Sequence, residues 1–267
     1  MTDAQKHTRI NDILLGPLER PALRWLAAHM PRWVNSDMLS ILGLLGGLTT
    51  AVSYYLSQYS PAFLWLASLG LVINWFGDSL DGTLARYRHE ERPRYGYFID
   101  HIIDTVIATA VLIGLAFSPY VHTTVALLTL ISYLMLEAMV FLYTYVDNVF
   151  QISYWKLGPT EVRVIMIGMN AGLYFSGNPI LQIGDWSVRA GSLVVALLGM
   201  LILLIFTYFS IARAMKLSRE DEAARERRRV KEQERQMNRE QKRLEREARK
   251  SGLRAKSLPG RQGKTFS

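Results

Sequence analysis

The sequence predicts an all-α integral membrane protein: six transmembrane helices, an N-terminal interfacial amphipathic helix, and a basic C-terminal tail, part helical and part disordered. Three observations carry this. Half of the 267 residues are hydrophobic, yet the chain has a net charge of +8, a mixture foreign to one soluble domain. The charge is segregated: from Arg213 onward there are 19 Lys/Arg against 9 Asp/Glu, and before it 12 against 14. Six stretches, roughly 38–57, 61–84, 97–117, 122–146, 160–177 and 187–212, approach the about 20 apolar residues needed to cross about 30 Å of hydrocarbon.

The elements follow in order. The first residues hold no basic-then-apolar run ending in a small-residue cleavage site, so no secretory signal is expected. Pro17 to Met30 reads as a helix too short and charged to span. Leu18, Ala22, Trp25 and Leu26 share one face, with Glu19, Arg20 and Arg24 elsewhere, so the expected place is the membrane surface. Lys6, Arg9, Arg20, Arg24 and Arg32 precede the first span, and Arg86, Arg88, Arg92 and Arg94 join the second to the third. Lys156 lies before the fifth span, while the three alternate loops hold only Arg189. By the positive-inside rule both termini are cytoplasmic, and the expected location is a bacterial inner membrane. The organisation is residues 1–34 as the cytoplasmic segment, 35–213 as the membrane domain and 214–267 as the tail.

The tail is rich in Arg, Glu, Gln and Ala, adequate helix formers. Ala223, Val230, Met237 and Leu244 recur every seven residues, but the partner positions are polar, and a coiled coil needs both apolar positions. A solvated helix fading into a disordered Ser/Gly/Lys end is one reading; attraction to anionic lipid headgroups is another. Nucleic acid is not an expected partner. The absence of cysteine excludes disulfides, cysteine-type zinc sites and thiol catalysis.

The chemistry lies between the second and third spans. Asp78 and Asp81 are spaced i,i+3, and Asp100 and Asp104 i,i+4; on helices each pair projects from one face. Consecutive spans joined by a short loop are antiparallel neighbours, so four carboxylates converge toward the cytoplasmic side. A charged residue at the membrane centre costs roughly 2.5–3.5 kcal/mol on insertion scales, and four carboxylates repel one another. Hard divalent cations with oxygen ligands resolve both problems, Mg2+ or Mn2+ first, and two ions would neutralise all four charges. Asp78, Gly82, Ala85 and Arg86 share a stripe whose small residues leave a slot beside an arginine. That slot suits a phosphate-bearing ligand, although Arg86 serves equally as a positive-inside anchor and a lone glycine as a packing site.

These residues resemble the CDP-alcohol phosphotransferase family. The pattern Asp-x2-Asp-Gly-x2-Ala-Arg, then Gly-x3-Asp-x3-Asp, is matched at Asp78, Asp81, Gly82, Ala85, Arg86, Gly96, Asp100 and Asp104. The spacer between Arg86 and Gly96 is one residue longer than usual. The family's Pro-Asn-x-x-Thr stretch appears here as Ser36-Asp37-Met38-Leu39-Ser40, with Ser40 keeping a hydroxyl as a candidate nucleotide contact. The resemblance implies attack by an alcohol hydroxyl on a CDP-linked donor such as CDP-diacylglycerol, with release of CMP. It implies that Asp78, Asp81 and Asp100 hold the metals and that Asp104 is a further ligand and the general base. Gly82, Ala85, Arg86 and Gly96 would line the CDP pocket, and a homodimer is implied as well.

Beyond the motif, Gly158-Pro159-Thr160-Glu161-Val162-Arg163 opens the fifth span. Glu161 and Arg163 are candidate contacts for a small alcohol acceptor, and a capped helix with surface charges accounts for them equally. Asn74, one turn before Asp78, is a candidate partner for the cluster or for helix packing, and Glu137 lies inside the fourth span without an evident partner. Nothing in the sequence selects among glycerol 3-phosphate, an inositol phosphate, serine or an amino alcohol. Two other classes compete: a cation or phosphate-ester transporter, which would spread carboxylates through the membrane depth, and a silent scaffold, which has no need of four repelling charges.

Overall fold

The computed structural model describes residues 8–10, 14–147, 149–151, 158–184 and 186–256. Seven α-helices dominate: α1 (Gly16–His29), α2 (Ser36–Leu56), α3 (Phe63–Arg88), α4 (Pro93–Ala116), α5 (Thr123–Asp147), α6 (Pro159–Ser176) and α7 (Ala190–Lys256). Two small sheets accompany them. β1 (Thr8–Ile10) pairs in parallel with β2 (Val149–Gln151), and β3 (Ile180–Ile183) pairs antiparallel with β4 (Trp186–Arg189). Lys6, Lys156 and the Ser/Gly/Lys-rich end at 257–267 lie outside the described residues.

Five helices, α2, α3, α4, α5 and the apolar part of α7, are long and apolar enough to cross a membrane. The chain is a multi-pass membrane protein. The expected fifth span at 160–177 forms a helix, α6, but it is not in that set. Its 18 residues include Glu161, Arg163 and Asn170, which lower its hydropathy. Even so, α6 is packed into the bundle. Met166, Met169 and Leu173 join Tyr54, Leu64, Leu71, Leu115 and Val195 in the main core. Asn170 accepts a bond from the Tyr54 hydroxyl at 2.9 Å and donates to Ser68 at 3.1 Å, linking α2, α6 and α3.

The chain divides into two compact units, Met1–Tyr208 and Phe209–Ser267. The expected boundary between last span and tail is not a break in secondary structure, because α7 is helical through it. Within the second unit the described side chains are mostly exposed, among them Val230, Met237 and Leu244. Lys216–Glu220 and Arg243–Glu247 form i,i+4 pairs, which support a solvated helix modestly.

Helices α2 and α3 cross at backbone contact because glycine permits it. A Cβ on Gly46 would stand 2.5 Å from the Asn74 amide nitrogen, and one on Gly77 would strike the Gly43 amide and the Leu39 carbonyl. Membrane helices gain association energy from such close approach. The α3–α4 turn is equally specified. His89 adopts the left-handed conformation (φ 58°), Glu90 donates its amide to the Ala85 carbonyl at 3.0 Å, and Pro93 opens α4.

The two faces of α1 have different surroundings. Leu18 and Trp25 are exposed, whereas Gly16, Glu19, Leu23 and Ala27 are buried. Leu23 and Ala27 pack with Val34, Leu39, Leu80 and Leu84 in a second core. Leu18 and Trp25 of the apolar stripe face away from the protein, Leu26 of the same stripe packs against this core, and a stripe containing a glutamate faces inward.

Candidate functional site

The site forms where the C-terminal half of α3 passes the N-terminal half of α4. Asp78, Asp100 and Asp104 are each half-buried, and each offers a carboxylate oxygen such that all three lie within 4.8 Å of one another. Three hard oxygen donors at this separation can hold a divalent cation. The structure brings these three of the four aspartates together.

Asp81 is turned differently. Its Oδ2 accepts a short hydrogen bond from Ser40 Oγ on α2, its Oδ1 accepts from the Gly82 amide, and its backbone carbonyl accepts from Ser36 Oγ at 3.0 Å. Four converging carboxylates thus become three clustered ones and a fourth beside them. Ser40 touches the motif, through Asp81. Asn35 caps α2 by accepting from the Met38 amide at 2.8 Å, which fixes the turn that carries Ser36 and Ser40.

Arg163 enters from α6. Its Nη2 donates to Asp78 Oδ2 at 2.7 Å and its Nε to Asn74 Oδ1 at 2.8 Å. Asn74 is buried and passes its own amide to the Gly43 carbonyl at 3.1 Å. The guanidinium geometry suits this fork, and the side chain is only 12% exposed. Arg163 therefore lies on the aspartate cluster. Glu161 does not. It is buried, with Oε2 accepting from the Gly158 amide at 2.9 Å and Oε1 from the Leu15 amide at 2.8 Å. Its carboxylate joins the start of α6 to the start of α1, the structural one of the two roles its sequence context allowed.

Arg86 is exposed at the end of α3, where Nη2 donates to Thr83 at 3.1 Å. A Cβ on Gly82 would meet Arg86 Nη1 at 3.3 Å, so the missing side chain lets the guanidinium lie along the helix. Ala85 is half-buried on the same turn. Gly96 stands in the first turn of α4, and a Cβ there would meet nothing within 4 Å. Among the described residues no packing asks for glycine at that position.

Glu19, placed on the polar side by the sequence, is a buried hub. Its Oε1 accepts from Trp75 Nε1 at 2.8 Å, Ser79 Oγ at 3.0 Å and Thr160 Oγ1 at 3.1 Å. It ties α1 to α3 beside Asp78 and to α6 one turn before Arg163. The signal was present: Gly16, Glu19, Leu23 and Ala27 are as helically spaced as the apolar stripe. Arg88, counted only as loop charge, donates to the carbonyls of Met30 at 3.2 Å and Pro31 at 2.9 Å. Arg92 pairs with Asp37 and lies 4.3 Å from the Tyr95 ring centroid. His101 stacks on Tyr97 with centroids 4.2 Å apart. Glu137 has a partner after all, because Thr105 Oγ1 donates to it.

Residues 33–213 match the family model described as CDP-alcohol phosphatidyltransferase. Over 99 residues the chain is 32% identical to archaetidylinositol phosphate synthase of Pyrococcus horikoshii, covering 37% of this chain and 50% of that protein. Over 107 residues it is 30% identical to cholinephosphotransferase 1 of Gallus gallus, covering 38% and 32% respectively. The chain thus spans half or less of the length of these relatives. Among solved structures, Mycobacterium tuberculosis phosphatidylinositol phosphate synthase (PgsA1) with CDP-DAG bound is similar, with 20% identity and a TM-score of 0.47 over 73% of this chain and 90% of that one.

Proposed function

This chain belongs to the CDP-alcohol phosphatidyltransferase family, and on that premise we propose that it transfers a phosphatidyl group from a CDP-linked donor, such as CDP-diacylglycerol, to an alcohol hydroxyl, releasing CMP. The observation that carries the reading is the set of three half-buried carboxylates, Asp78, Asp100 and Asp104, within 4.8 Å across two helices. All-oxygen donors fit magnesium or manganese. Asp78, Asp100 and Asp104 would hold the metal, with Asp81 a further ligand on release from Ser40, and two ions are the reading that the carboxylate charge supports. Magnesium or manganese held there would supply charge neutralisation at the pyrophosphate and at the departing CMP.

The protein's own groups do the rest. Asp104 accepts the proton of the acceptor hydroxyl. The hydroxyl oxygen then bonds to the phosphorus that bears the lipid, the bond from that phosphorus to the bridging oxygen breaks, and CMP leaves with the electron pair. Base assistance of this kind contributes typically about 10²–10⁴-fold. Gly82, Ala85, Arg86 and Gly96 form the donor wall, where missing side chains at 82 and 96 leave room for the nucleotide. Arg163, forked between Asn74 and Asp78, holds Asp78 in place.

The proposed setting is a bacterial inner membrane with α6 as a sixth span and both termini cytoplasmic, in a homodimer, the basic tail resting on anionic headgroups. The relatives are named for different groups, archaetidylinositol phosphate in one and phosphocholine in the other, so their names do not select an acceptor here. The test is incubation of purified protein with CDP-diacylglycerol, magnesium and a panel of alcohols, measuring CMP. Acceptor-dependent CMP is the expected result. Folded, metal-binding protein that releases none with any acceptor would refute the transferase reading and favour a silent scaffold or a transporter.

A further inference from the structure

Glu137, bonded to the residue that follows Asp104, is an acidic group whose place in the transfer is so far unassigned. Glu137 lies in the middle of α5, an apolar membrane helix. It is half-buried, and its Oε1 accepts a hydrogen bond from Thr105 Oγ1, on the residue after Asp104. A carboxylate in an apolar span is expensive, and one neutral hydroxyl offsets little of that. Among the described residues no ion pair falls on Glu137. The cation nearby, Arg163, is committed to Asp78 and Asn74. Tyr133 lies one turn earlier on α5. α5 thus brings a carboxylate to the turn of α4 that carries Asp104.

We propose that Glu137 binds the ammonium of a short amino alcohol, and that this charge pair selects the acceptor. The inference rests on the transferase reading and deepens it. Three features of the chemistry agree. A cation supplies the partner that a buried carboxylate needs. An amine held protonated against Glu137 has no lone pair with which to attack, so only the hydroxyl meets Asp104, and the product is a phosphodiester rather than a phosphoramidate. A phosphate-bearing acceptor would instead bring further negative charge between Asp104 and Glu137, where like charges repel. Glu137 is in this account a specificity-determining residue that touches the acceptor.

The test compares acceptors and one isosteric variant, with CDP-diacylglycerol and magnesium present. Ethanolamine is expected to support CMP release with kcat/KM about tenfold or more above glycerol 3-phosphate and inositol 1-phosphate. Glu137→Gln keeps an oxygen for Thr105, so the fold is retained, but it removes the charge. Its KM for the amino alcohol should rise about tenfold while kcat and the donor KM change less than about twofold. A merely structural role would move kcat and thermal stability together and leave the acceptor KM alone. CMP release with glycerol 3-phosphate or inositol 1-phosphate but not with amino alcohols would overturn the ammonium site and leave the transferase reading standing. CMP from no acceptor would overturn both.

Discussion

Arg163 and Asp78 are joined across α6 and α3, with Nη2 and Oδ2 2.7 Å apart. Asn74 steers the same guanidinium through Nε at 2.8 Å, so the arginine has one orientation and the aspartate one neighbour of fixed position. Removing the arginine leaves a partly buried carboxylate unpaired, a loss of about 1.5–3 kcal/mol for a hydrogen bond to a charged group. If that loss appears in the transition state, Arg163→Ala lowers kcat by about ten- to a hundredfold. Arg163→Lys should recover little, because one ammonium cannot reproduce a fork onto both Asn74 and Asp78. Steady-state CMP release with circular dichroism on each variant checks this.

Asp104→Asn should abolish turnover while sparing the donor site. An amide is isosteric but cannot take the hydroxyl proton, so a drop of about 10²–10⁴ in kcat is expected. Binding of a CDP-linked donor, followed by calorimetry, should weaken only a few-fold. Wild-type turnover in this variant would remove Asp104 from the role of base.

Gly96 separates ligand room from packing room. A Cβ there meets nothing within 4 Å among the described residues, whereas one on Gly46 collides with the α3 backbone. Gly96→Ala should fold normally and raise the KM for the CDP donor about tenfold. Gly46→Leu should force α2 from α3 and lower the yield of folded protein. Size-exclusion yield and donor KM distinguish the two outcomes.

Glu19 serves three donors at once, from Trp75, Ser79 and Thr160. Glu19→Leu leaves all three without their acceptor, at about 1–3 kcal/mol for each that stays buried and unsatisfied. Glu19→Gln keeps an oxygen in place and should be much milder. Thermal unfolding in detergent should therefore rank wild type, then Gln, then Leu, with activity following the same order.

Deletion after Arg219 should leave kcat with detergent-solubilised CDP-diacylglycerol unchanged within about twofold, since the described residues of that segment are largely solvent-exposed. Binding to anionic vesicles should weaken, by about 1 kcal/mol per basic residue lost from the surface. Equal vesicle binding of the two forms would remove lipid attraction as the tail's role.

The aspartates were legible because their spacing needs only helix geometry to place them on facing stripes. Asp81 was less so. Its partner Ser40 belongs to another helix, and the hydrogen bond depends on the glycine crossing of α2 and α3, visible only when the two backbones are together. The inward face of α1 is hidden in the sequence for a similar reason. Two stripes of equal regularity lie on that helix, and the apolar one is the stripe expected at the membrane surface. Buried Glu19 is stabilised by donors from α3 and α6, which lie more than fifty residues away in sequence. Glu161 shows the same limit, since one of its two partners is the backbone amide of Leu15. α6 falls short of a span in composition because the residues that lower its hydropathy, Glu161, Arg163 and Asn170, are those that bond it to α1, α2 and α3.

The proposed transfer depends above all on a divalent ion held by the Asp78–Asp100–Asp104 cluster. The most direct measurement is Mn2+ binding by electron paramagnetic resonance, run beside CMP release from CDP-diacylglycerol, on wild type and on Asp78→Asn, Asp100→Asn and Asp104→Asn. The account predicts Mn2+ binding and EDTA-sensitive CMP release in wild type, with both lost in Asp78→Asn and Asp100→Asn, and turnover lost in Asp104→Asn. CMP release that persists in EDTA, or Mn2+ binding unchanged in all three variants, would contradict it.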